Sequence, residues 1–313
     1  MKGIELSEKF YNECGAPMIK SEFPDLEGII AVGLVGAGSE CFGFDDDISH
    51  DHDFEPGFCM FIPDEDVIDS RTEFRLERAY AKLPKVFEGV ERLKLSPVGG
   101  SRHGVIRTSS FYESKTGSKN GELSVGEWLS VPETYLAEAT NGKVFRDDYG
   151  EFSAIRDNLL NMPADVRCKK LAGNLLLMAQ AGQYNYSRCI SHGETAAAQL
   201  AAGEFVNNTL AAAFRLNNIY MPFYKWSFRA LSQLEKLSEL AAPLEILLTT
   251  GNTPELAERK QGIIDEICLA VIEELKAQNL TESKNSDLGS HAYSVNERVK
   301  DPSLRNAHIL SAV

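Results

Sequence analysis

The pattern of apolar residues changes near residue 150, and this change limits the folds that the chain can adopt. Before that point, short apolar or β-branched runs alternate with Gly, Pro and Asp, which is typical of strands mixed with short helices. After it, apolar residues recur every three or four positions in long Ala- and Leu-rich runs, which predicts helices. At 313 residues the chain is long enough for two domains. We therefore predict an α+β protein, with a small mixed-sheet α/β domain over 1–150 and a helical bundle with a polar C-terminal tail over 151–313.

The same patterns predict individual elements. In the first part, apolar or β-branched runs predict strands at 29–38, 103–112 and Lys143–Phe145. Alternation predicts a strand, or a strand with a bulge near Pro56 and Gly57, at 51–62, and helical spacing predicts a helix at 70–84. In the second part, the spacing predicts helices near 152–161, 165–182, 192–217, 225–240 and 254–279, followed by a weakly patterned segment, 283–313.

Composition excludes several classes of protein. The formal net charge of −14 argues against a protein that wraps duplex nucleic acid, because the phosphate backbone would be repelled. No run of about 18 apolar residues is present, and the opening residues lack the basic-then-apolar pattern of a signal peptide. The six cysteines contain no CxxC pair. We expect a cytoplasmic protein with reduced thiols, bound to neither membrane nor duplex nucleic acid.

An acidic cluster follows the first apolar run, in GSECFGFDDDISHDHDFEPGFCMF, which spans Gly38 to Phe61. A solvated loop is the simplest explanation, but the cluster lies between two apolar stretches, where α/β proteins tend to bind ligands. A dinucleotide-binding turn would use Gly36 and Gly38, yet Cys41 stands where the third glycine is required. A zinc site would use His50 and His52, which have no further His or Cys ligand near them in the sequence.

The carboxylates of the cluster support a fourth explanation. In an extended segment Asp51 and Asp53 project to one face, with ~7 Å between their positions along the strand. Paired carboxylates suit hard divalent cations such as Mg²⁺, which keep coordination positions open for substrate phosphates. Gly38 and Ser39, at a turn after an apolar strand, can offer backbone N–H groups and a hydroxyl to a phosphate chain. The cluster therefore predicts a site for a metal-bound polyphosphate.

Gly38-Ser39 and, after eleven intervening residues, Asp51-His52-Asp53-Phe54 also carry a family resemblance. They resemble the Gly-Ser and Asp-x-Asp signature of the nucleotidyltransferase superfamily, which includes the aminoglycoside nucleotidyltransferases. The whole chain resembles an uncharacterised bacterial family of nucleotidyltransferase-like proteins with a C-terminal helical domain. The phrases that carry this wider resemblance are GSECFGFDDDISHDHDFEPGF, LSVGEWLSVPETYLAEATNGKVFRDDYGEFSAIRDNL and YMPFYKWSFRAL.

The resemblance implies metal-dependent transfer of a nucleoside monophosphate from a nucleoside triphosphate, most simply ATP, to a small-molecule acceptor, with pyrophosphate leaving. Asp51 and Asp53 would hold Mg²⁺ or Mn²⁺ against the triphosphate. Gly38 and Ser39 would position its phosphates.

The rest of the implied site is less complete. Arg188 and Lys225, in the helical part, are candidate phosphate contacts, and each is equally well explained as a surface cation. A third carboxylate is expected on a later strand, where the sequence offers Arg107 and Thr108, with Glu113 only at its end. Two alternatives stay open: a nucleotide-binding regulatory pseudoenzyme without the third acid, and a metal-dependent phosphohydrolase. The acceptor is not indicated.

Overall fold

The structure, a computed structural model, describes residues 1–48, 54–92 and 102–313. The chain forms two compact units. The first comprises Met1–Ser124 and Tyr135–Asn161, and the second comprises Val125–Thr134 and Met162–Val313. A small mixed sheet in the first unit and helices in the second confirm the predicted α+β class. The predicted domain limits at residue 150 stay a prediction.

The sheet of the first unit is mixed. The strands of the described residues are β1 (Ala31–Leu34), β2 (Cys59–Ile62), β3 (Val86–Phe87), β4 (Val90–Glu91), β5 (Gly104–Arg107) and β6 (Lys143–Arg146). Four of them lie in the order β5-β2-β1-β6, and a separate hairpin pairs β3 with β4. Strand β1 is antiparallel to both β2 and β6, whereas β2 and β5 run parallel.

Strand β2 is buried on both faces, so it reads as a continuous apolar run rather than an alternating one. Met60 and Ile62 belong to the core cluster that contains Phe10. Phe61 points to the opposite face, where its ring stacks on Phe152 with centroids 4.1 Å apart. Helices therefore cover the sheet on both sides.

Two helices of the first unit begin or end at residues that the sequence marks. Asp69 caps the helix that follows it, because its carboxylate accepts the N–H of Thr72 at 2.8 Å. Gly117, which adopts the left-handed conformation, ends the helix Thr108–Thr116. The helices of this unit are α1 (Gly3–Phe10), α2 (Ala16–Glu22), α3 (Ser70–Ala81), α4 (Thr108–Thr116) and α7 (Glu151–Leu160).

One predicted strand is wrong over half of its length. The sequence predicted a strand over 103–112, but β5 ends at Arg107 and α4 begins at Thr108. Tyr112 lies on the buried side of α4, where its hydroxyl donates to the carbonyl of Phe152 at 2.8 Å. Phe111 and Tyr112, which fall in the predicted strand, therefore lie on the inner face of a helix.

Described residues of the second unit are helical or in turns. A π-helical stretch, Ala179–Tyr186, continues α8. Helix α6 (Glu133–Thr140) begins in this unit and continues in the first. The other helices are α5 (Val125–Ser130), α8 (Ala164–Met178), α9 (Ser187–Ser191), α10 (Thr195–Leu216), α11 (Tyr224–Leu231), α12 (Ala241–Thr249), α13 (Pro254–Ala277), α14 (Leu288–Asn296) and α15 (Pro302–Asn306).

The predicted helix over 225–240 is interrupted. Helix α11 ends at Leu231, and Leu237 adopts a left-handed conformation with φ +64°. The Asn217 side chain bonds both backbone groups of Lys236, accepting from its N–H at 3.0 Å and donating to its carbonyl at 2.9 Å. A tertiary contact thus replaces the bonds that a continuous helix would make.

The segment 283–313 is more ordered than its weak pattern indicated. Helix α14 packs against α8 and buries Leu288 and Val295. Its first turn is capped by Asp287, whose carboxylate accepts the N–H of Ser290 at 2.8 Å.

No helix within the described ranges is both long enough and apolar enough to cross a lipid bilayer.

Candidate functional site

Three chain segments meet at one edge of the sheet. Because β1 is antiparallel to β2, the end of β1 lies beside the start of β2, and Gly33 pairs with Cys59. Because β5 is parallel to β2, the start of β5 lies at the same edge, and Cys59 pairs with Gly104. The turn that leaves β1 is therefore close to the residues that enter β2 and β5. This edge holds the predicted phosphate turn.

The turn from Gly36 to Ser39 is held by backbone conformation and by one side chain. Gly36 and Gly38 have φ values of +116° and +125°, which residues with a Cβ rarely adopt. The Asn141 amide brackets Gly36, accepting from its N–H at 2.8 Å and donating to its carbonyl at 2.7 Å. Ser39 is half-buried, and its hydroxyl makes no hydrogen bond to any residue that the structure describes. That hydroxyl is available to a ligand.

Arg102 lies directly against this turn. A Cβ on Gly38 would overlap Nη2 of Arg102 and would lie 2.5 Å from Oε1 of Glu40. The same Nη2 donates to the carbonyl of Ala37 at 2.6 Å and pairs with the carboxylate of Glu40. The Arg102 side chain is 29% exposed, so part of it faces solvent. A cation thus lies at the predicted phosphate turn.

Sequence reasoning missed Arg102 and Asn141. Arg102 pairs with a residue 62 positions earlier in the chain, and Asn141 brackets a turn 105 positions earlier. Neither belongs to a local motif, so only the fold could place them at the turn.

The residues that enter β2 and β5 are also joined at this edge. Nδ1 of His103 lies 2.9 Å from Oε1 of Glu55, and the buried ring of His103 packs against Gly57. Neither side chain was singled out from the sequence. This contact joins the segment that leads into β2 to the segment that leads into β5.

The predicted metal ligands Asp51 and Asp53 lie outside the described residues, as do His50 and His52. Their predicted roles stay predictions. The first acid of the cluster, Asp45, is described and is buried. Its Oδ2 accepts the N–H of Gly3 at 2.8 Å, so it caps α1.

The predicted third carboxylate does not end a strand. Glu113 lies on α4 and is exposed. The position where the strand does end is occupied by Arg107, whose guanidinium pairs with Glu73 and donates to the carbonyls of Pro63 and Ile68 at 2.6 and 2.7 Å. No group of three or more His, Cys, Asp or Glu side chains within the described part of the chain could hold a metal ion.

The two predicted cations of the helical part are exposed and lie beside aromatic rings. Arg188, on α9, has its guanidinium carbon 5.2 Å from the ring centre of Tyr184. Lys225, on α11, has Nζ 4.3 Å from the ring centre of Trp226. These contacts agree with the surface-cation explanation. Their predicted phosphate contacts stay untested.

Comparison with known proteins gives one match. Residues 128–227 are similar to the family described as Domain of unknown function (DUF4037). This stretch is less than half of the 313-residue chain, includes Arg188 and Lys225, and excludes the Gly38–Asp53 segment. No curated protein and no solved structure matches the chain significantly.

Proposed function

We propose that the protein is a metal-dependent nucleotidyltransferase, which moves a nucleoside monophosphate from a nucleoside triphosphate, most simply ATP, to a small-molecule acceptor. The observation that carries this proposal is the Gly36–Ser39 turn at the sheet edge. It presents a half-buried hydroxyl, Ser39, beside a fixed guanidinium, Arg102. A guanidinium and a hydroxyl at an exposed turn are suited to phosphate oxygens.

The metal would be held by Asp51 and Asp53, the paired carboxylates of the sequence motif. Carboxylate oxygens suit Mg²⁺ or Mn²⁺ better than they suit softer metals. Among the described acids at this edge, Glu40 is paired with Arg102 and Glu55 contacts His103. The metal would neutralise charge on the triphosphate and on the departing pyrophosphate.

In the proposed reaction, a nucleophilic oxygen or nitrogen of the acceptor forms a bond to the α-phosphorus. The bond from that phosphorus to the oxygen bridging the β-phosphate breaks, and pyrophosphate carries away the electron pair. The proton of the acceptor passes to a base, for which Glu113 is the sequence candidate. Ser39 and the backbone at Gly38 would orient the phosphates, and Arg102 would offset their charge.

The position of Glu113 favours a second candidate function. Glu113 is an exposed carboxylate on α4 and does not stand at the end of β5, so its position gives no support to the role of general base at the turn. A regulatory pseudoenzyme that binds nucleotide without turnover would need the turn and the metal but no base. A metal-dependent phosphohydrolase is a weaker alternative, because nothing described at the edge favours water over another acceptor.

Calorimetric titration of ATP, GTP, CTP and UTP, with and without Mg²⁺, tests the binding step. We expect Mg²⁺-dependent binding of at least one nucleotide to the wild type and none to an Asp51→Asn, Asp53→Asn double variant. The matched control is Asp47→Asn, which removes an exposed acid from the same loop and is expected to bind within about twofold of the wild type. Binding that persists in the double variant would overturn the proposal.

The products then separate the candidate functions. Pyrophosphate released in step with a modified acceptor supports the transferase. Inorganic phosphate released without an acceptor supports the phosphohydrolase. Tight Mg²⁺-dependent binding with neither product, across an acceptor screen that includes cationic amino sugars, supports the pseudoenzyme.

A further inference from the structure

The second unit buries three lysines, and two of them have a full set of acceptors. An ammonium group has three N–H donors. Lys169 and Lys260 are both fully buried, and each donates to three oxygens at distances of 2.7 to 3.3 Å. The acceptors are Asn296 Oδ1 and the carbonyls of Arg305 and Ala307 for Lys169, and Gln199 Oε1, Asn252 Oδ1 and the Thr250 carbonyl for Lys260.

Lys170 is the exception among the three. It is 4% exposed, and its Nζ donates to one oxygen within the described structure, the carbonyl of Leu129 at 2.9 Å. Two donors of a buried ammonium group are therefore left over. Since unmet polar groups are costly in a protein interior, this arrangement calls for further acceptors.

Arg215 on α10 is similarly incomplete. It is 8% exposed, its Nη2 pairs with Oε1 of Glu133 at 2.7 Å, and its Nη1 donates to the side chain of Asn174. Its Nε is buried and has no hydrogen-bond partner among the described residues. A third donor, on a second cation, is thus left over.

The two cations share one location. Lys170 and Asn174 are four residues apart on α8, so their side chains lie on the same face, one turn apart. Arg215 reaches this face because it bonds Asn174. The partners of the two cations are also close in the sequence. Leu129, which accepts from Lys170, lies four positions before Glu133, which pairs with Arg215. The side chains of Lys170 and Arg215 therefore lie in one region of the second unit.

The charges of this region do not balance. Lys170 and Arg215 contribute two positive charges, and Glu133, whose side chain is 8% exposed, contributes one negative charge. Burial, reinforced by the charge of Arg215 and opposed by that of Glu133, lowers the pKa of Lys170 to about 8. A single negative group would neutralise the region and supply the missing acceptors.

We propose that Lys170 and Arg215 form a binding site for an oxyanion, a carboxylate or a phosphate group, within the helical unit. The site lies inside the stretch that matches the DUF4037 family, and it does not depend on the proposed transferase activity. Oxygen atoms of the anion would accept from Nζ of Lys170 and from Nε of Arg215. Both bonds would be charge-assisted and shielded from water, and therefore strong.

Calorimetric titration of the full-length protein in chloride buffer, with inorganic phosphate in one arm and acetate in the other, tests the site and identifies the kind of anion. We expect saturable binding of at least one of them. A Lys170→Met variant should bind at least about tenfold more weakly, since it loses a charged donor. The matched control, Lys276→Met, removes one exposed positive charge from the same unit and should bind within about twofold of the wild type.

Hydrogen exchange on the wild type locates the site without any variant. The bound anion should slow exchange in peptides that cover Leu129–Glu133, Lys170–Asn174 and Arg215, and should leave the peptide around Lys260 unchanged. The proposal is overturned if neither anion binds saturably, if Lys170→Met binds as tightly as the wild type, or if the protected peptides lie elsewhere.

Discussion

Replacing Gly38 by alanine tests whether the phosphate turn is built around Arg102. Two costs are expected. A residue with a Cβ at φ +125° is strained by ~1–3 kcal/mol. The new methyl group would also overlap Arg102 and push it from Ala37 and Glu40, which costs a further ~1–3 kcal/mol in lost hydrogen bonding. We expect the first unit to lose about 2–6 kcal/mol of unfolding free energy.

Gly36→Ala is the matched control. Gly36 has a similar φ of +116°, but the nearest atom to a Cβ at this position would be a Phe111 ring carbon at 3.5 Å, an ordinary contact. Gly36→Ala should therefore lower the unfolding free energy only by the cost of the strain, ~1–3 kcal/mol. In an Arg102→Ala background, Gly38→Ala should cost little more than the strain, because the overlapping guanidinium is gone and the flexible Glu40 carboxylate, released from its ion pair, can shift away from the methyl group.

The assay must report on the first unit. Both tryptophans, Trp128 and Trp226, lie in the second unit, so tryptophan fluorescence would miss the effect. Amide hydrogen exchange of β2 suits the purpose, because this strand pairs with β1 on one side and β5 on the other and opens only with the sheet. The reasoning is refuted if Gly38→Ala destabilises β2 no more than Gly36→Ala does, or if Arg102→Ala leaves the cost of Gly38→Ala unchanged.

Two further predictions follow from buried titratable groups. The pKa of Lys170 is lowered to about 8 from 10.5, so the unfolded chain binds one more proton between these values, and the wild type should gain up to about 3 kcal/mol as the pH rises through this range. Lys170→Met should lack this gain. The unfolding free energy of both proteins is measured by denaturation in chloride buffer between pH 7 and 10.5, and parallel curves for wild type and variant would contradict the lowered pKa of Lys170. Burial raises the pKa of Cys59 to about 12, so native Cys59 should react with iodoacetamide at pH 8 far more slowly than the half-buried Cys189. Peptide mass spectrometry measures both rates. Comparable labelling of the two thiols in folded protein would contradict the prediction, because it would show that β2 opens readily.

The sequence predicted most of what depends on local pattern. Strand β1 was predicted from an apolar run that ends on glycines, and β2 lies within the strand that alternation predicted over 51–62. Helices α10 and α13 were predicted within a few residues from three- and four-residue spacing. The failures lie where tertiary contacts override local preference. Aromatic residues of α4 are turned to the sheet, and Asn217 bonds Lys236 where the sequence carries neither Gly nor Pro to end a helix.

The candidate site divides in the same way. Gly38 and Ser39 were found because a turn motif is local, and the positive φ of Gly38 agrees with that reading. Arg102 and Asn141 reach the turn only because β5 and the start of β6 lie near β1 in the sheet. Lys170 resembles its neighbour Lys169 in the sequence. Their difference lies in the number of acceptors that the folded chain provides, which no local pattern encodes.

Net charge concerns the whole surface, whereas the two proposed anion sites depend on local structure. A chain of net charge −14 repels polyanions over distances comparable to the Debye length, ~10 Å at 0.1 M salt. Affinity for a small anion is decided at shorter range, by donors held in place and shielded from water. Arg102 is fixed at the Gly38 turn by Ala37 and Glu40, and Arg215 is fixed by Asn174 and Glu133. In both places an acid holds a cation in position, and at Lys170 the fold adds a second cation with no acid of its own, so an acidic protein can still carry a strong local preference for anions.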